Sequence, residues 1–145
     1  RSSPLRRARE TCALAVLGDR TGLEPDLAEW NYGDYEGLTT AEIHRGRPGW
    51  VVFADGCPHG ETPADVARRV DRVIAEIRDT AGDVALFAHG HVLRALAARW
   101  LDLPVAAGQS LLLDPATVNL LGAYYGVPAI VAWNAPLDAA VLFRR

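Results

Sequence analysis

The chain has 145 residues, which is enough for one domain of ordinary size and too few for two. Half of the residues are hydrophobic and 23% are charged, which excludes a disordered or fibrous chain. A formal net charge of −3 argues against binding to nucleic acid or to an anionic membrane, and no apolar run approaches the roughly 20 residues that span a bilayer.

Missing residue types bear on the origin of the chain. It contains no Met, and its 15 basic residues are all Arg. A translated chain begins with Met, so we expect either a processed chain or one that lacks its true start. Abundant Arg without Lys is typical of GC-rich bacterial genomes. The cysteines, Cys12 and Cys57, are too few for a disulfide framework, so we expect a cytoplasmic protein.

The first predicted element is a helix over residues 4–17, with Ser3 as its N-cap, Pro4 at the first helical position and Gly18 after its end. Gly and Pro residues, which interrupt helices and strands, divide the next part of the chain. We predict a short strand over residues 23–29 and a loop rich in Gly and aromatic residues over residues 30–38. A short helix over residues 40–45 and an irregular stretch over residues 46–60 follow.

The most regular helix is predicted over residues 63–81. Thr62 and Asp65 form a capping box around Pro63, and Gly82 ends the helix. Apolar residues recur at a 3.6-residue period along one face. The charged residues of this helix are expected mostly to face water: Arg68, Arg69, Asp71, Arg72 and Glu76.

Apolar strands alternate with helices in the rest of the chain. A continuous apolar run predicts a buried parallel strand over residues 84–88, and a helix over residues 92–101 follows. The remaining strand candidates, the last two of them joined at residues 126–128, are residues 111–113, 118–125 and 129–133. This alternation predicts a single α/β domain over residues 1–145.

The segment His89-Gly90-His91 follows a predicted strand and precedes a predicted helix. Ligands of open α/β sheets bind beyond the carboxyl ends of the strands, and a helix N-terminus attracts anions. Gly90 would let an anion approach the backbone closely. The alternative is that His89 is a hydrogen-bonded histidine at a strand end, and the residues alone favour neither interpretation.

Other charged residues are candidates for the same site. Arg6 and Arg7 lie in the first turn of a helix, the unfavourable end for cations, which indicates an anion near one of them unless both are solvated. Glu29 closes a strand beside aromatic residues and is either a general acid or an exposed loop carboxylate. Glu36 and Glu61 are weak candidates for the same role of general acid.

Metal and cofactor motifs are absent from the sequence. Histidine and cysteine residues show no zinc-finger or zincin spacing, and there is neither a phosphate-loop glycine motif nor a dinucleotide fingerprint. We therefore expect a site without metal or cofactor.

Four motifs, taken in order, resemble the histidine phosphatase superfamily, whose members share the phosphoglycerate-mutase-like fold. SPLRRA at residues 3–8 resembles S-P-L-x-R-A, and EWNYGDYEG at residues 29–37 resembles E-x-x-x-G-x-x-E-G. Gly60-Glu61-Thr62 resembles G-E-S, and His89-Gly90 follows an apolar strand as in the family. The sequence is especially similar to the compact acid phosphatases of actinobacteria.

The resemblance implies a three-layer α/β/α fold with a mostly parallel sheet, and a metal-free reaction through a phosphohistidine. It implies that Arg7 binds phosphate and that His89 is the second active-site histidine. It implies that Glu29 donates and accepts the proton of the leaving group and of water. The remaining substrate contacts that it implies are the backbone N–H of Gly90 and the side chains of Tyr32 and His91.

One family motif is missing. The nucleophilic histidine of the family lies in R-H-G at the end of the first strand, upstream of S-P-L-x-R-A, and this sequence has no Arg-His-Gly. We therefore expect the domain to be incomplete at its N-terminus and to lack its first strand and nucleophile loop. The full-length protein is expected to supply them, and the 145 residues alone are expected to be inactive.

Three functions remain open from the sequence. Family mutases typically have a Lys shortly after Y-G-x-L-Q-G, and this chain has none, which favours a phosphatase acting on small phosphate monoesters. A phosphoglycerate mutase is the first alternative. A non-catalytic module that binds phosphorylated ligands is the second, if the upstream segment lacks R-H-G. The apolar C-terminal strands are also candidates for pairing in a homodimer.

Overall fold

The structure is a computed structural model that describes residues 1–15, 17–18 and 21–136. Its longest helix, α4, spans Pro63–Arg78 and has the predicted capping box, in which Thr62 accepts from the Asp65 N–H and the Asp65 carboxylate accepts from the Thr62 N–H. The helix ends three residues before the predicted end. The apolar face is buried as predicted, but Arg69 is only 8% exposed, so the prediction that it faces water was wrong.

Helix α5 spans Gly90–Trp100 and packs against α4. It begins at Gly90, earlier than predicted, because His89 is its N-cap in an extended conformation. Trp30 and Phe53 meet edge to face in the core beside it, with ring centroids 5.6 Å apart. The buried core residues of the two helices and of the segments packed on them include Leu27, Val66, Val70, Val73, Val92, Ala95 and Leu96.

Helix α1 spans Arg6–Leu14, shorter at both ends than predicted, and residue 16 of the predicted helix lies outside the described residues. The assignment of Ser3 as N-cap was wrong, because Leu5 holds that position. Ser3 instead donates its backbone N–H to the Phe87 carbonyl at 2.8 Å. Its backbone is therefore part of a strand pairing, and the helix starts beyond Pro4.

Two short helices lie between the N-terminal part and α4. Helix α2, Thr40–Gly46, agrees with the prediction and has its own capping box at Thr39. Helix α3, Val52–Asp55, lies in the stretch predicted to be irregular, and its four residues are too few to show a helical period. Turns of 3-10 helix occur at Pro25–Leu27, Gly33–Tyr35 and Val105–Ser110.

Parallel pairing is present as bridges on both sides of Ser2, to Leu23 and to Phe87. The α/β class is thereby confirmed. The predicted strand over residues 23–29 is reduced to its bridge at Leu23, because Pro25 has no N–H and the Glu24 carboxylate accepts from Asp26 in a 3-10 turn. The predicted strand over residues 84–88 is likewise reduced to a bridge at Phe87 and a hydrogen bond from the Arg1 amino group to the Ala85 carbonyl.

An antiparallel hairpin forms the C-terminal part of the described chain. Strands β1, Thr117–Tyr124, and β2, Val127–Pro136, are joined at Tyr125-Gly126, both with positive φ, close to the predicted junction. The prediction of a strand over residues 111–113 was wrong. The backbone of these residues instead bonds to a 3-10 turn and to the Trp133 indole. Among the described residues, no helix is both long and apolar enough to cross a membrane.

Candidate active site

His89 lies buried between two polar partners, 6% exposed. The Arg7 Nε–H donates to His89 Nδ1 at 2.9 Å, and His89 Nε2 lies 2.8 Å from Ser3 Oγ. Because Nδ1 accepts from Arg7, the neutral ring carries its proton on Nε2 and donates it to Ser3. Burial, and then the charge of Arg7, lower the pKa of His89. The imidazole is therefore neutral and held in one tautomer.

Parallel pairing explains how Arg7 and His89 meet although 82 residues separate them. The bridge between Ser2 and Phe87 aligns two segments that run in the same direction, so the residues after each of them emerge at the same edge. Arg7 follows one segment in the first turn of α1, and His89 follows the other. Arg6 instead forms an exposed ion pair with Glu10 at 2.6 Å, which distinguishes the two arginines.

Glu29 caps the start of α5. Its Oε2 accepts from the His91 N–H at 3.2 Å, and its Oε1 accepts from the Val92 N–H at 3.0 Å and the Trp30 N–H at 2.9 Å. The free N–H groups and the partial positive charge of a helix N-terminus stabilise a carboxylate there. Gly90, the first residue of α5, is exposed, and a Cβ there would meet nothing within 4 Å. The backbone of Gly90 is therefore open to an approaching ligand.

Tyr32 and His91 form a second pair at the same place. The Tyr32 hydroxyl lies 2.5 Å from His91 Nδ1, and the His91 ring also packs edge to face on Phe53. Burial, followed by the carboxylates of Glu29 and Glu36, raises the pKa of Tyr32, while burial lowers the pKa of His91. The hydroxyl therefore stays protonated and donates to a neutral imidazole.

The loop that carries Tyr32 is docked on a second loop by direct backbone contact. Gly33 has a φ of +52°, and the Asp34 N–H donates to the Pro58 carbonyl at 2.9 Å. A Cβ on Gly33 would lie 2.1 Å from that carbonyl oxygen, and one on Gly60 would lie 2.3 Å from the Asn31 carbonyl oxygen. Only glycine fits at these two positions, and the docking holds Tyr32 against His91.

The structure places all six predicted site residues at the start of α5: Arg7 bonds to His89, Glu29 and Tyr32 bond to His91, and Gly90 lies between the two histidines. Their roles stay predictions. The residues that sequence reasoning missed are Ser3, which was assigned to a helix cap, and Arg69, which was assigned to a solvated face. Glu61 is bonded to Arg69 rather than exposed. Motifs included Glu61, in Gly60-Glu61-Thr62, and Ser3, in SPLRRA, whereas no motif included Arg69.

Within the part of the chain that the structure describes, no three His, Cys, Asp or Glu side chains are grouped so that they could hold a metal ion. Cys12 and Cys57 are both buried and free. Burial raises the pKa of the Cys57 thiol to about 11, so it is protonated near neutral pH.

Comparison with known proteins identifies the class. The sequence profile of the histidine phosphatase superfamily (branch 1) matches residues 1–136. An acid phosphatase of Mycobacterium tuberculosis is 42% identical over 129 residues, which cover 86% of this chain and 62% of that protein. The chain belongs to the histidine phosphatase superfamily.

The names of two further relatives give different substrates. Sedoheptulose 1,7-bisphosphatase of Saccharomyces cerevisiae is 41% identical over 130 residues, covering 72% of this chain and 48% of its own length. Glucosyl-3-phosphoglycerate phosphatase of Mycobacterium tuberculosis is 40% identical over 124 residues, covering 72% and 55%. The chain thus spans between 48% and 62% of the length of the three curated relatives.

Solved structures agree with this assignment. The product of an open reading frame of Mycobacterium tuberculosis superposes with a TM-score of 0.88 at 37% identity, covering 93% of this chain and 70% of that chain. Mycobacterial glucosyl-3-phosphoglycerate phosphatase with inorganic phosphate gives a TM-score of 0.78 at 31% identity, covering 96% and 77%. The fold of the chain is therefore that of the superfamily.

Proposed function

We propose that the full-length protein is a phosphatase that hydrolyses small phosphate monoesters through a phosphohistidine intermediate. The observation that carries the proposal is the bond between Arg7 and the buried His89, beside the Glu29 carboxylate on α5. The superfamily membership and the phosphatase names of the relatives support it. The proposed nucleophile is the histidine of the family's Arg-His-Gly motif, which these 145 residues do not contain.

In this proposal Arg7 contacts the phosphoryl group, and His89 acts through its bond to Arg7. Arg7 is exposed and uses Nε on His89, so its two terminal NH₂ groups remain to contact phosphate oxygens as a fork. The buried imidazole holds the guanidinium in place before substrate arrives. Donors that are fixed in advance stabilise the charge of the transferring phosphoryl group without reorganisation during the reaction.

Glu29 transfers protons in both steps. In the first step Glu29 starts as the carboxylic acid: a histidine nitrogen attacks phosphorus, the ester P–O bond breaks, and the leaving oxygen takes the Glu29 proton, which leaves a carboxylate. In the second step water attacks phosphorus, the P–N bond breaks, and Glu29 takes a proton from the water as inorganic phosphate leaves. Its position on the N-terminus of α5, where Gly90 is exposed, supports this role.

The Tyr32 loop supports a phosphatase rather than a mutase. The Glu36 carboxylate accepts from the Tyr32 N–H at 3.0 Å, and Asp34 adds a second negative charge on the same loop. The loop, residues 30–38, therefore offers no Lys or Arg to bind a substrate carboxylate such as that of phosphoglycerate. Cytoplasmic location is part of the proposal, and the free buried Cys12 and Cys57 support it.

The test is an assay of the full-length protein with p-nitrophenyl phosphate in EDTA, together with 3-phosphoglycerate as a mutase substrate. We expect release of inorganic phosphate from the ester in EDTA and no formation of 2-phosphoglycerate. Conversion of 3- to 2-phosphoglycerate would instead identify a mutase. Phosphate binding without any turnover would identify a non-catalytic binding module.

A further inference from the structure

Arg69 of α4 is a buried cation that the proposed chemistry does not use. Its side chain is 8% exposed and makes four hydrogen bonds. Nε and one terminal nitrogen donate to both carboxylate oxygens of Glu61, at 2.7 and 3.0 Å. The other terminal nitrogen donates to the backbone carbonyls of Asp26 and Ala28, each at 2.7 Å. Arg69 therefore joins the residue immediately before Glu29 to Glu61.

Glu61 holds the chain on the other side of Glu29. One of its carboxylate oxygens accepts from the Asn31 N–H at 2.9 Å, and its backbone carbonyl accepts from the Trp30 indole at 3.0 Å. Its own N–H donates to the Asn31 carbonyl at 2.9 Å. The segments directly before and after Glu29 are thus fastened to a single ion pair.

We propose that Arg69 is a positioning residue for Glu29: with Glu61 it fixes residues 28–31, so that the Glu29 carboxylate stays on the N-terminus of α5 beside the leaving oxygen. The inference rests on the proposed function of Glu29. A loop that carries a proton donor must be held closely, because a displacement of about 1 Å can lower the rate about 100-fold.

The chemistry of the pair favours this role over stability alone. A buried ion pair gains little net stability over well-packed apolar residues, because both charges lose their hydration. The pair instead fixes the geometry of the groups bonded to it, because a planar guanidinium offers five donors in a fixed fork. An ammonium has three donors at one point and cannot reach Glu61 and two carbonyls in the same geometry.

The experiment compares two leaving groups in the full-length protein. p-Nitrophenolate leaves without protonation, whereas the alkoxide of glycerol 2-phosphate needs a proton from an acid. We expect Glu29→Gln to lower kcat/KM for glycerol 2-phosphate by about 10²- to 10⁴-fold and for p-nitrophenyl phosphate far less. Arg69→Met is expected to give the same selective loss of at least about tenfold. Arg69→Lys is expected to restore part of it.

Arg72→Met is the matched control. Arg72 lies on the same helix and pairs with the Asp26 side chain at 2.7 Å, but its side chain is 60% exposed. It contacts the same loop from the surface, so the ratio of the two kcat/KM values should stay unchanged. Circular dichroism checks that each variant folds, and if Arg69→Met does not fold, Glu61→Gln carries the test with the same expected selective loss.

The outcomes separate the two proposals. If Glu29→Gln is selective and the Arg69 or Glu61 variant lowers both substrates equally, or neither, the positioning role is overturned and the role of Glu29 stands. If Glu29→Gln itself shows no selectivity for the poor leaving group, the proton transfer by Glu29 is overturned, and the positioning role with it.

Discussion

A single methyl group at Gly33 tests how the Tyr32 loop is held. In Gly33→Ala the new Cβ would lie 2.1 Å from the Pro58 carbonyl oxygen and 2.4 Å from the Gly60 nitrogen. Both are backbone atoms that cannot rotate away, so the two loops must separate. We expect the free energy of unfolding to fall by about 1–2 kcal/mol because of the positive φ, and by about 1–3 kcal/mol more because of the overlap.

Gly37→Ala is the matched control. Gly37 lies in the same loop and has a φ of +78°, but a Cβ there would meet nothing within 4 Å. Its free energy of unfolding should therefore fall only by the cost of the positive φ, about 1–2 kcal/mol. Urea unfolding followed by tryptophan fluorescence measures both free energies of unfolding. Equal losses in the two variants would refute the backbone-to-backbone docking of Gly33.

Three further predictions concern the pH response, the substrate contact and the core. Because the pKa of His89 is lowered from 6.5, the unfolded chain binds more protons just below that pH. The free energy of unfolding should fall as pH drops through about 6.5, and urea titrations should show a smaller fall in His89→Gln; equal slopes would contradict this. Tyr32→Phe, which loses its bond to His91, should raise KM roughly 2- to 10-fold, and an unchanged KM would count against a substrate contact. Phe53→Ala should lose about 3–5 kcal/mol in urea unfolding, against less than about 0.5 kcal/mol for the exposed Val127→Ala; similar losses would place Phe53 outside the core.

Features that depend on near neighbours could be predicted from the sequence. The capping box at Thr62 and the apolar face of α4 involve residues within a few positions of each other, and both are present. The hairpin turn at Tyr125-Gly126 was located to within one or two residues for the same reason. The residues of the candidate site were found through motif order, which combined four weak local patterns.

Features that depend on distant partners could not be predicted. Ser3 has the side chain of a helix cap, but its backbone pairs with Phe87, and that pairing determines its position. Arg69 lies outside the apolar repeat of its helix, which predicts a side chain that faces water, yet the loop before Glu29 folds over it. Nothing near Glu29 in the sequence indicates that its carboxylate caps a helix that begins 61 residues later. In each case the decisive partner is far along the chain.

The most direct test of the proposed site is the kcat/KM of the full-length protein for p-nitrophenyl phosphate in EDTA after His89→Ala. Its control is His59→Asn, because His59 is exposed, pairs only with Asp34 among its described contacts, and has a positive φ that Asn tolerates. We predict that His89→Ala removes most of the activity while His59→Asn keeps it. Activity of His89→Ala equal to that of the control would contradict the assignment of phosphoryl transfer to this site.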